Sequence, residues 1–149
     1  MLLIREIILA EIDFASPEMD EALHVRNSVL RKPLQMTYEV VDIENEWNSH
    51  HLAAFRPDGQ ILGVLVLKPL SSDVVKMRQV AVQQNQQNAG IGKALVSFSE
   101  SFSMKKGFKR IELHARLTAV PFYKQLNYQT FGDIFKEVGI DHYFMFKDL

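Results

Sequence analysis

One stretch of the sequence decides the fold: Val80-Ala81-Val82, the polar loop Gln83–Gln87, and then Asn88-Ala89-Gly90-Ile91-Gly92-Lys93-Ala94-Leu95. Its first residues are apolar and predict a strand, and the apolar residues from Ile91 to Phe102 recur at helical spacing and predict a helix that ends at Gly107. The first N–H groups of such a helix have no intrahelical partner, and the positive end of the helix dipole lies behind them. Gly90 and Gly92 carry no Cβ, so a phosphate can reach the backbone there. The stretch therefore predicts an anion-binding turn between a strand and a helix.

Two other phosphate-binding motifs share features with this turn, and the sequence argues against both. The turn contains half of a dinucleotide-binding fingerprint, but the third glycine and the acidic residue that should follow are missing. It also lacks the Lys-Ser/Thr ending of a P-loop. On these residues alone, a helix start in which the glycines allow tight packing remains the alternative.

Outward from this stretch, strand patterns account for much of the chain. Strands are predicted at Leu2–Leu9, His51–Arg56, Gln60–Leu67, Val74–Val82, Lys109–Arg116, Gln129–Phe135 and His142–Phe146. The turn residues Pro57-Asp58-Gly59 join the second and third of these in a hairpin. An antiparallel hairpin at this place also argues against a Rossmann-type nucleotide fold.

Two further helices are predicted on either side of the central one. Ser16-Pro17-Glu18 supplies an N-cap, a proline at the first helical position and an acid in the first turn, and Pro33 closes this helix. Thr118 is predicted to cap a last helix, which Asn127 ends in the left-handed conformation. A short helix within Glu39–Glu46 is the least legible element. A meander of strands followed by strand-helix-strand-helix-strand predicts an α/β (mixed α+β) fold, with helices on the faces of a mixed sheet.

Composition narrows the class of protein further. The length of 149 residues fits one domain, so residues 1–149 are expected to form a single domain. The lack of cysteine excludes disulfides, thiolate zinc sites and a cysteine nucleophile. With a formal net charge of −1 and no basic run, a nucleic-acid partner is not expected. No apolar stretch approaches the ~20 residues of a membrane span and no signal peptide is visible, so a cytoplasmic protein without membrane contact is predicted.

With these features together, the sequence resembles the GNAT family of acyl-CoA-dependent N-acetyltransferases. The cofactor motif of that family is Arg/Gln-x-x-Gly-x-Gly/Ala, which Gln87, Gly90 and Gly92 fill after the strand Met77–Val82. A later family signature, a Phe-Tyr pair ahead of Leu-Gly-Phe/Tyr, appears as Phe122-Tyr123-Lys124-Gln125-Leu126-Asn127-Tyr128, with Asn in place of the usual Gly. The tail from Phe135 to His142 also resembles small bacterial members, so the resemblance covers nearly the whole chain.

The resemblance implies a particular sheet and a particular co-substrate. The sheet would have about six to seven mostly antiparallel strands, of which two, here Lys76–Val82 and Lys109–Arg116, splay apart beside acetyl-CoA. Within Val80-Ala81-Val82, the backbone of Val80 and Val82 would pair with the pantetheine arm. The pyrophosphate would be held by the backbone amides of Gln87, Asn88, Ala89, Gly90, Ile91, Gly92 and Lys93. No metal is implied, and homodimers are common among such folds.

The resemblance also assigns the acid in the reaction. Tyrosines at the position of Tyr123 protonate the departing CoA sulfur in the family, and the backbone N–H of Val80 would stabilise the oxyanion. A structural role for Tyr123, as a buried aromatic beside Phe122, is the alternative. A non-catalytic module that senses acetyl-CoA is a second possible function, and the presence of Tyr123 favours the enzyme.

The base and the acceptor-binding residues remain open among several side chains. A primary amine with a pKa of about 10.4 must lose its proton before it attacks, so a base is useful. His114 and His142 are the candidate bases, because imidazole titrates near neutral pH. Arg78, Glu112 and Glu137 are candidates for binding the acceptor, and Arg78 could hold an acceptor carboxylate. The acceptor is expected to be a primary amine of a small molecule or peptide, and its identity does not follow from the sequence.

Overall fold

A computed structural model describes residues 6–34, 43–86 and 90–149. The strands are β1 (Ile8–Ile12), β2 (His50–Phe55), β3 (Ile61–Pro69), β4 (Val74–Val82), β5 (Arg110–Arg116), β6 (Gln129–Glu137) and β7 (Ile140–Asp148). The helices are α1 (Pro17–Arg26), α2 (Ile91–Lys105) and α3 (Val120–Gln125). Shorter helical turns span Asn27–Arg31, Lys32–Leu34, Gln84–Gln86 and Leu117–Ala119.

The strands form one sheet in the order β1-β2-β3-β4-β5-β7-β6. Each neighbouring pair is antiparallel except β4 and β5, which are parallel because α2 carries the chain back between them. The hairpin at Pro57-Asp58-Gly59 is confirmed as the connection between β2 and β3. The predicted mixed, mostly antiparallel sheet of six to seven strands is therefore confirmed.

Helices cover both faces of the sheet and divide the core in two. On one face, Ile91, Leu95 and Val96 of α2 pack with buried residues of β2 to β5 and β7. On the other face, Met19, Ala22 and Val25 of α1 pack with buried residues of β1 to β4. The side chains of β3 from Ile61 to Leu67 are buried because both layers cover that strand.

The helix α1 begins as the sequence predicts and ends differently. The Ser16 hydroxyl accepts a hydrogen bond from the Met19 N–H, and Pro17 occupies the first turn. The α-helix ends at Arg26, however, and continues as a wider π turn over Asn27–Arg31 and a 3₁₀ turn over Lys32–Leu34. Pro33 thus lies inside the last turn instead of outside the helix.

Two other boundaries differ from the sequence prediction. The first strand is Ile8–Ile12 instead of Leu2–Leu9, of which Leu2–Arg5 lie outside the described residues. Thr118 does not cap α3: it lies in a 3₁₀ turn, and the cap position is held by Ala119 in helical conformation. The chain therefore enters α3 without the extended residue that a side-chain cap requires. Asn127 ends this helix with φ +71, as predicted.

A buried ion pair fixes α1 against the chain before β2. The two terminal nitrogens of Arg26 donate to the two carboxylate oxygens of Glu46, each at 2.8 Å, and both side chains are almost fully buried. Next to it, the buried His51 ring bonds to the Glu46 carbonyl oxygen at 3.1 Å, and burial lowers the pKa of His51. Of the predicted helix within Glu39–Glu46, residues 39–42 lie outside the described residues, and residues 43 and 44 are helical.

Replacing one partner of this pair should destabilise the protein strongly. Glu46→Gln keeps the side-chain shape but leaves the Arg26 charge buried opposite a neutral amide. We expect the free energy of unfolding to fall by about 3–5 kcal/mol, measured by urea denaturation. The exposed neighbour Glu44 provides the control, since Glu44→Gln should change stability by less than about 0.5 kcal/mol. Equal stability of the two variants would contradict a structural role for the pair.

Candidate active site

The parallel strands β4 and β5 stay together over a short distance only. Val74 to Met77 pair with Arg110 to Leu113, and the ladder between the two strands ends there. Beyond it, β4 continues beside β3 as far as Val82, and β5 continues beside β7 as far as Arg116. A gap therefore opens between the two strands, as the sequence predicts for the splayed pair.

A β-bulge bends β4 where the gap begins. Val64 pairs with Ala81 and Val66 pairs with Arg78, so Gln79 and Val80 of β4 lie opposite Leu65 alone. Gln79 adopts φ +56, in the left-handed region that few residues other than glycine occupy. Such a bulge turns the strand away from its neighbour and re-aims the side chains beside it. The bulge thus contributes to the opening of the gap.

The N-terminus of α2 lies at the far end of β4. Gly90 precedes the helix with φ +81, and no side chain caps it. The N–H groups of Ile91 to Lys93, in the first turn, have no carbonyl acceptor within the helix. A Cβ on Gly92 would lie 3.7 Å from Val82 and 3.5 Å from Phe122, which is ordinary contact. Packing within the described chain therefore leaves room for a side chain at position 92.

Two clefts open where β4 and β5 part. The central cleft, with a volume of about 260 Å³, is lined by Met77–Val80, Leu113–Arg116, Ala119, Tyr123, Glu137, Val138, His142, Leu30, Arg31 and Leu34. The side cleft, of about 360 Å³, is lined by Lys68, Leu70, Lys76, Met77, Arg78, Gln79, His114 and Glu137. The clefts adjoin, because five of these residues line both of them.

Tyr123 reaches the central cleft from the face of the sheet that α2 covers. Its ring is 7% exposed and meets the Phe122 and Tyr128 rings edge to face, at 5.0 and 5.5 Å between centroids. Burial raises the pKa of the Tyr123 phenol above its ordinary value. The phenol keeps its proton at neutral pH, as it would at its ordinary pKa, and Tyr123 lines the cleft.

His114 and Glu137 form a hydrogen-bonded pair on the opposite side of the cleft. The distance from His114 Nδ1 to Glu137 Oε2 is 2.7 Å, and the His114 ring meets Phe135 edge to face at 5.0 Å. Partial burial alone would raise the pKa of the Glu137 carboxyl, but the hydrogen bond and charge of His114 bring it below its ordinary value. The ionised carboxylate can only accept a hydrogen bond, so Nδ1 of His114 is the donor. When the ring is neutral, its one proton is on Nδ1, and Nε2 has a lone pair that can accept a proton.

His142 is arranged in a similar way. Its Nδ1 lies 2.7 Å from the Ile140 carbonyl oxygen, and its ring stacks on Phe135 at 5.9 Å. A carbonyl oxygen can only accept, so Nδ1 again donates and Nε2 of the neutral ring is an acceptor. His142 is buried, whereas His114 is partly exposed. Two imidazoles with engaged Nδ1 atoms therefore line one cleft, on either side of Phe135.

The structure brings together most of the side chains that the sequence singled out. Tyr123, His114, His142, Glu137 and Arg78 all line the central cleft. Glu112 lies instead beside Lys76 in the sheet register, outside both linings.

The residues predicted to bind the cofactor lie along the gap and at its far end. Val80 and Val82 pack towards α2, Ala81 packs towards α1, and Gly90 to Lys93 open the helix. Gln87, Asn88 and Ala89 fall outside the described residues.

Sequence reasoning missed a set of cations around the clefts: Arg31, Lys68, Lys76 and Arg116. Three of them could have been found. The alternation of β5 that places His114 on one face also places Arg116 there, and the hairpin register sets Lys68 opposite Lys76. Arg31 could not have been found, because its position at the cleft depends on the π turn that follows α1.

The described residues contain neither a metal-binding cluster nor a membrane-spanning helix. No group of three or more His, Cys, Asp or Glu side chains there could hold a metal ion. Across the same residues, every helix is too short or too polar to cross a membrane.

Comparison with known proteins points to one family. The sequence profile of the acetyltransferase (GNAT) domain matches residues 21–149. Over 74 residues, the chain is 32% identical to YyaT, an uncharacterized protein of Bacillus subtilis (strain 168), and the match covers 50% of each protein. The chain spans about half the length of the curated relatives that it matches.

Solved structures share the fold over nearly the full chain. An acyl-CoA N-acyltransferase from Pseudomonas aeruginosa has a TM-score of 0.80 at 20% identity, covering 95% of this chain and 99% of that one. A GNAT family acetyltransferase from Elizabethkingia anophelis, with acetyl-CoA bound, has a TM-score of 0.74 at 16% identity, covering 97% and 99%. At such identities, the likeness is one of fold.

The turn between β6 and β7 holds strain that a substitution can release. Val138 and Gly139 form a two-residue turn with φ +48 and +75, where a β-branched residue is disfavoured. We expect Val138→Asn to raise the free energy of unfolding by about 1 kcal/mol, measured by urea denaturation. Val138→Thr is the control, because it replaces one exposed methyl group with a polar hydroxyl but keeps the branched Cβ. A Thr variant as stable as the Asn variant would assign the gain to polarity instead of backbone strain.

Proposed function

Because the chain belongs to the acetyltransferase (GNAT) family, we propose that it transfers the acetyl group of acetyl-CoA to a primary amine by direct attack in a ternary complex. The observation that carries this proposal is the gap between β4 and β5. It has the N-terminus of α2 at one end and, at the other, a cleft that holds Tyr123, His114 and His142. A thioester lying in the gap would have an anion site behind it and proton donors and acceptors in front.

The co-substrate would lie along the bulged half of β4. Beyond Met77 this side of the strand has no ladder partner in β5, so Val80 and Val82 can pair with the amides of the pantetheine arm. The N–H groups of Gly90 to Lys93 would hold the pyrophosphate, together with Gln87, Asn88 and Ala89. The spare room at Gly92 supports this, since glycine weakens a helix and packing within the described chain does not require it there.

Tyr123 is proposed as the general acid. When the amine nitrogen attacks the thioester carbon, the carbonyl oxygen becomes an oxyanion, for which the Val80 N–H is the proposed donor. The C–S bond then breaks, and the sulfur takes the phenol proton and leaves as the CoA thiol. The place of Tyr123 in the lining of the central cleft supports this role, and a phenol carries its proton at neutral pH.

The base is proposed to be Nε2 of His114 or of His142. In each ring the proton on Nδ1 is held by an oxygen, so Nε2 is left to accept the proton that the amine loses. Behind His114, the acceptor is the Glu137 carboxylate, whose negative charge stabilises the imidazolium that forms. Behind His142 it is the neutral Ile140 carbonyl. The acceptor ammonium loses two protons in all, one to imidazole before the nitrogen attacks and one from the tetrahedral nitrogen afterwards. The second proton restores the phenol that protonated the departing thiolate, and the imidazolium releases the first to solvent, so the proton balance is complete.

Co-substrate binding should depend on position 90. Gly90→Glu would place a carboxylate at the end of α2 where the pyrophosphate is expected. We expect the dissociation constant of acetyl-CoA, measured by calorimetry, to rise at least ~10-fold, or ~1.4 kcal/mol. Gly90→Ala is the control, because alanine carries the same penalty at φ +81 without the charge. If the Glu variant binds acetyl-CoA as well as the Ala variant does, the helix end is not the phosphate site.

Turnover should depend on the Tyr123 hydroxyl. Tyr123→Phe keeps the ring and its packing, so we expect kcat and kcat/KM to fall together by about 10- to 10³-fold with acetyl-CoA affinity nearly unchanged. The measurement is CoA thiol release with a panel of primary amines, beside a binding titration. Full activity of the Phe variant would remove Tyr123 from the mechanism. Binding of acetyl-CoA without thiol release for any amine would instead indicate a sensing module.

A further inference from the structure

Cations gather around the two clefts, although the chain as a whole has a formal net charge of −1. Lys68, Lys76 and Arg78 line the side cleft, and Arg78 lines the central cleft as well. Of the described residues in either lining, Glu137 is the one carboxylate, and it is bonded to His114. The clefts are therefore positively charged within a chain that is slightly acidic.

Two of these cations face each other directly. Lys68 on β3 pairs with Lys76 on β4 in the sheet register. Like charges opposite each other in a sheet are destabilising, because their Cβ atoms are only about 4.5–5.5 Å apart. Arg78 lies two residues further along β4 on the same face, and its charge adds to the effect of burial in lowering the pKa of Lys76. Within the described ranges, none of the three forms an ion pair.

The phosphates of acetyl-CoA do not explain this cluster. Their proposed site is the start of α2, just beyond Val82 at the end of β4. Lys76 lies six residues earlier in that strand, which corresponds to roughly 20 Å at about 3.3 Å per residue. Lys68 and Lys76 therefore lie at the other end of β4 and Arg78 at its middle, on the acceptor side of the proposed thioester position.

We propose that the acceptor is a primary amine that also carries an anionic group, a carboxylate or a phosphate, and that Lys68, Lys76 and Arg78 bind this group. The proposal rests on the acetyl transfer proposed above and specifies its substrate class. An anion between the three side chains would remove the repulsion between Lys68 and Lys76. The planar guanidinium of Arg78 suits the two oxygens of a carboxylate or phosphate.

The shared wall of the clefts gives such a molecule a place for each end. Arg78, His114 and Glu137 line both clefts. The anionic group can lie in the side cleft against the cations while the amine lies in the central cleft beside His114. Arg78 would thus orient the acceptor, and His114 would receive its proton.

The first test uses pairs of amines of which one member carries an anionic group and the other does not. We would compare CoA release with β-alanine and β-alaninamide, with 4-aminobutyrate and its amide, and with O-phosphoethanolamine and ethanolamine. We expect the charged member of at least one pair to have a kcat/KM at least ~10-fold higher. The preferred pair tells a carboxylate from a phosphate. Arg78→Gln should abolish the preference without changing acetyl-CoA affinity, whereas Lys105→Gln, which removes an exposed cation at the end of α2, should keep it.

The second test does not depend on turnover. Inorganic phosphate would be titrated calorimetrically into protein saturated with CoA, so that the phosphate site of the co-substrate is already filled. We expect saturable binding that weakens at least ~10-fold in the Lys76→Gln/Arg78→Gln variant and is kept in Lys105→Gln. Circular dichroism would verify that the variants fold.

The outcomes separate this proposal from the transferase itself. Thiol release without preference for charged amines, or with a preference that survives Arg78→Gln, would overturn the anionic acceptor and leave acetyl transfer standing. Failure of both CoA binding and thiol release would overturn the transferase. If no amine in the panel reacts, the phosphate titration decides: binding lost in the double variant supports the anion site, and no saturable binding overturns it.

Discussion

The ladder between β4 and β5 ends after four residue pairs, and the active site depends on that early end. Had the two strands stayed paired to Val82 and Arg116, the sheet would have no opening. Because β4 stays paired with β3 and β5 stays paired with β7, the two halves of the sheet remain intact on either side of the gap. Backbone groups along the gap lack ladder partners in the opposite strand, and buried backbone groups need a partner. A ligand with amides of its own would satisfy that need, as the pantetheine arm does in the proposed complex.

The same parting lets groups from both faces of the sheet reach one cleft. Leu113 belongs to the core under α2 and His114 points to the other face, yet both line the central cleft. Tyr123 comes from the face of the sheet that α2 covers, whereas His114 and Arg78 come from the opposite face. In a continuous sheet, the strand backbone would separate these groups. A proton donor and a proton acceptor can therefore lie on opposite sides of one reacting carbon.

Sequence reasoning succeeded where local chemistry determines the outcome. Ser16 with Pro17, Pro57-Asp58-Gly59, Asn127 and the spacing in α2 each act within a few residues, and their elements are found as expected. It failed where distant parts of the chain decide. The bulge at Gln79 needs the register against β3, and Arg26 gave no sign of its partner twenty residues away. Thr118 failed for a third reason, because the 3₁₀ turn before α3 takes away the extended geometry that a cap needs.

The buried pair of Arg26 and Glu46 limits how this chain can diverge. Either charge alone in the core is unfavourable by several kcal/mol, whereas a well-packed apolar pair can be as stable as the ion pair itself. A single replacement at either position therefore lowers the stability of the protein. A change that keeps stability requires substitutions at both positions. Relatives should hold the complete pair or an apolar substitute for both, and seldom one half. One buried ion pair thus makes substitutions at two distant sequence positions depend on each other.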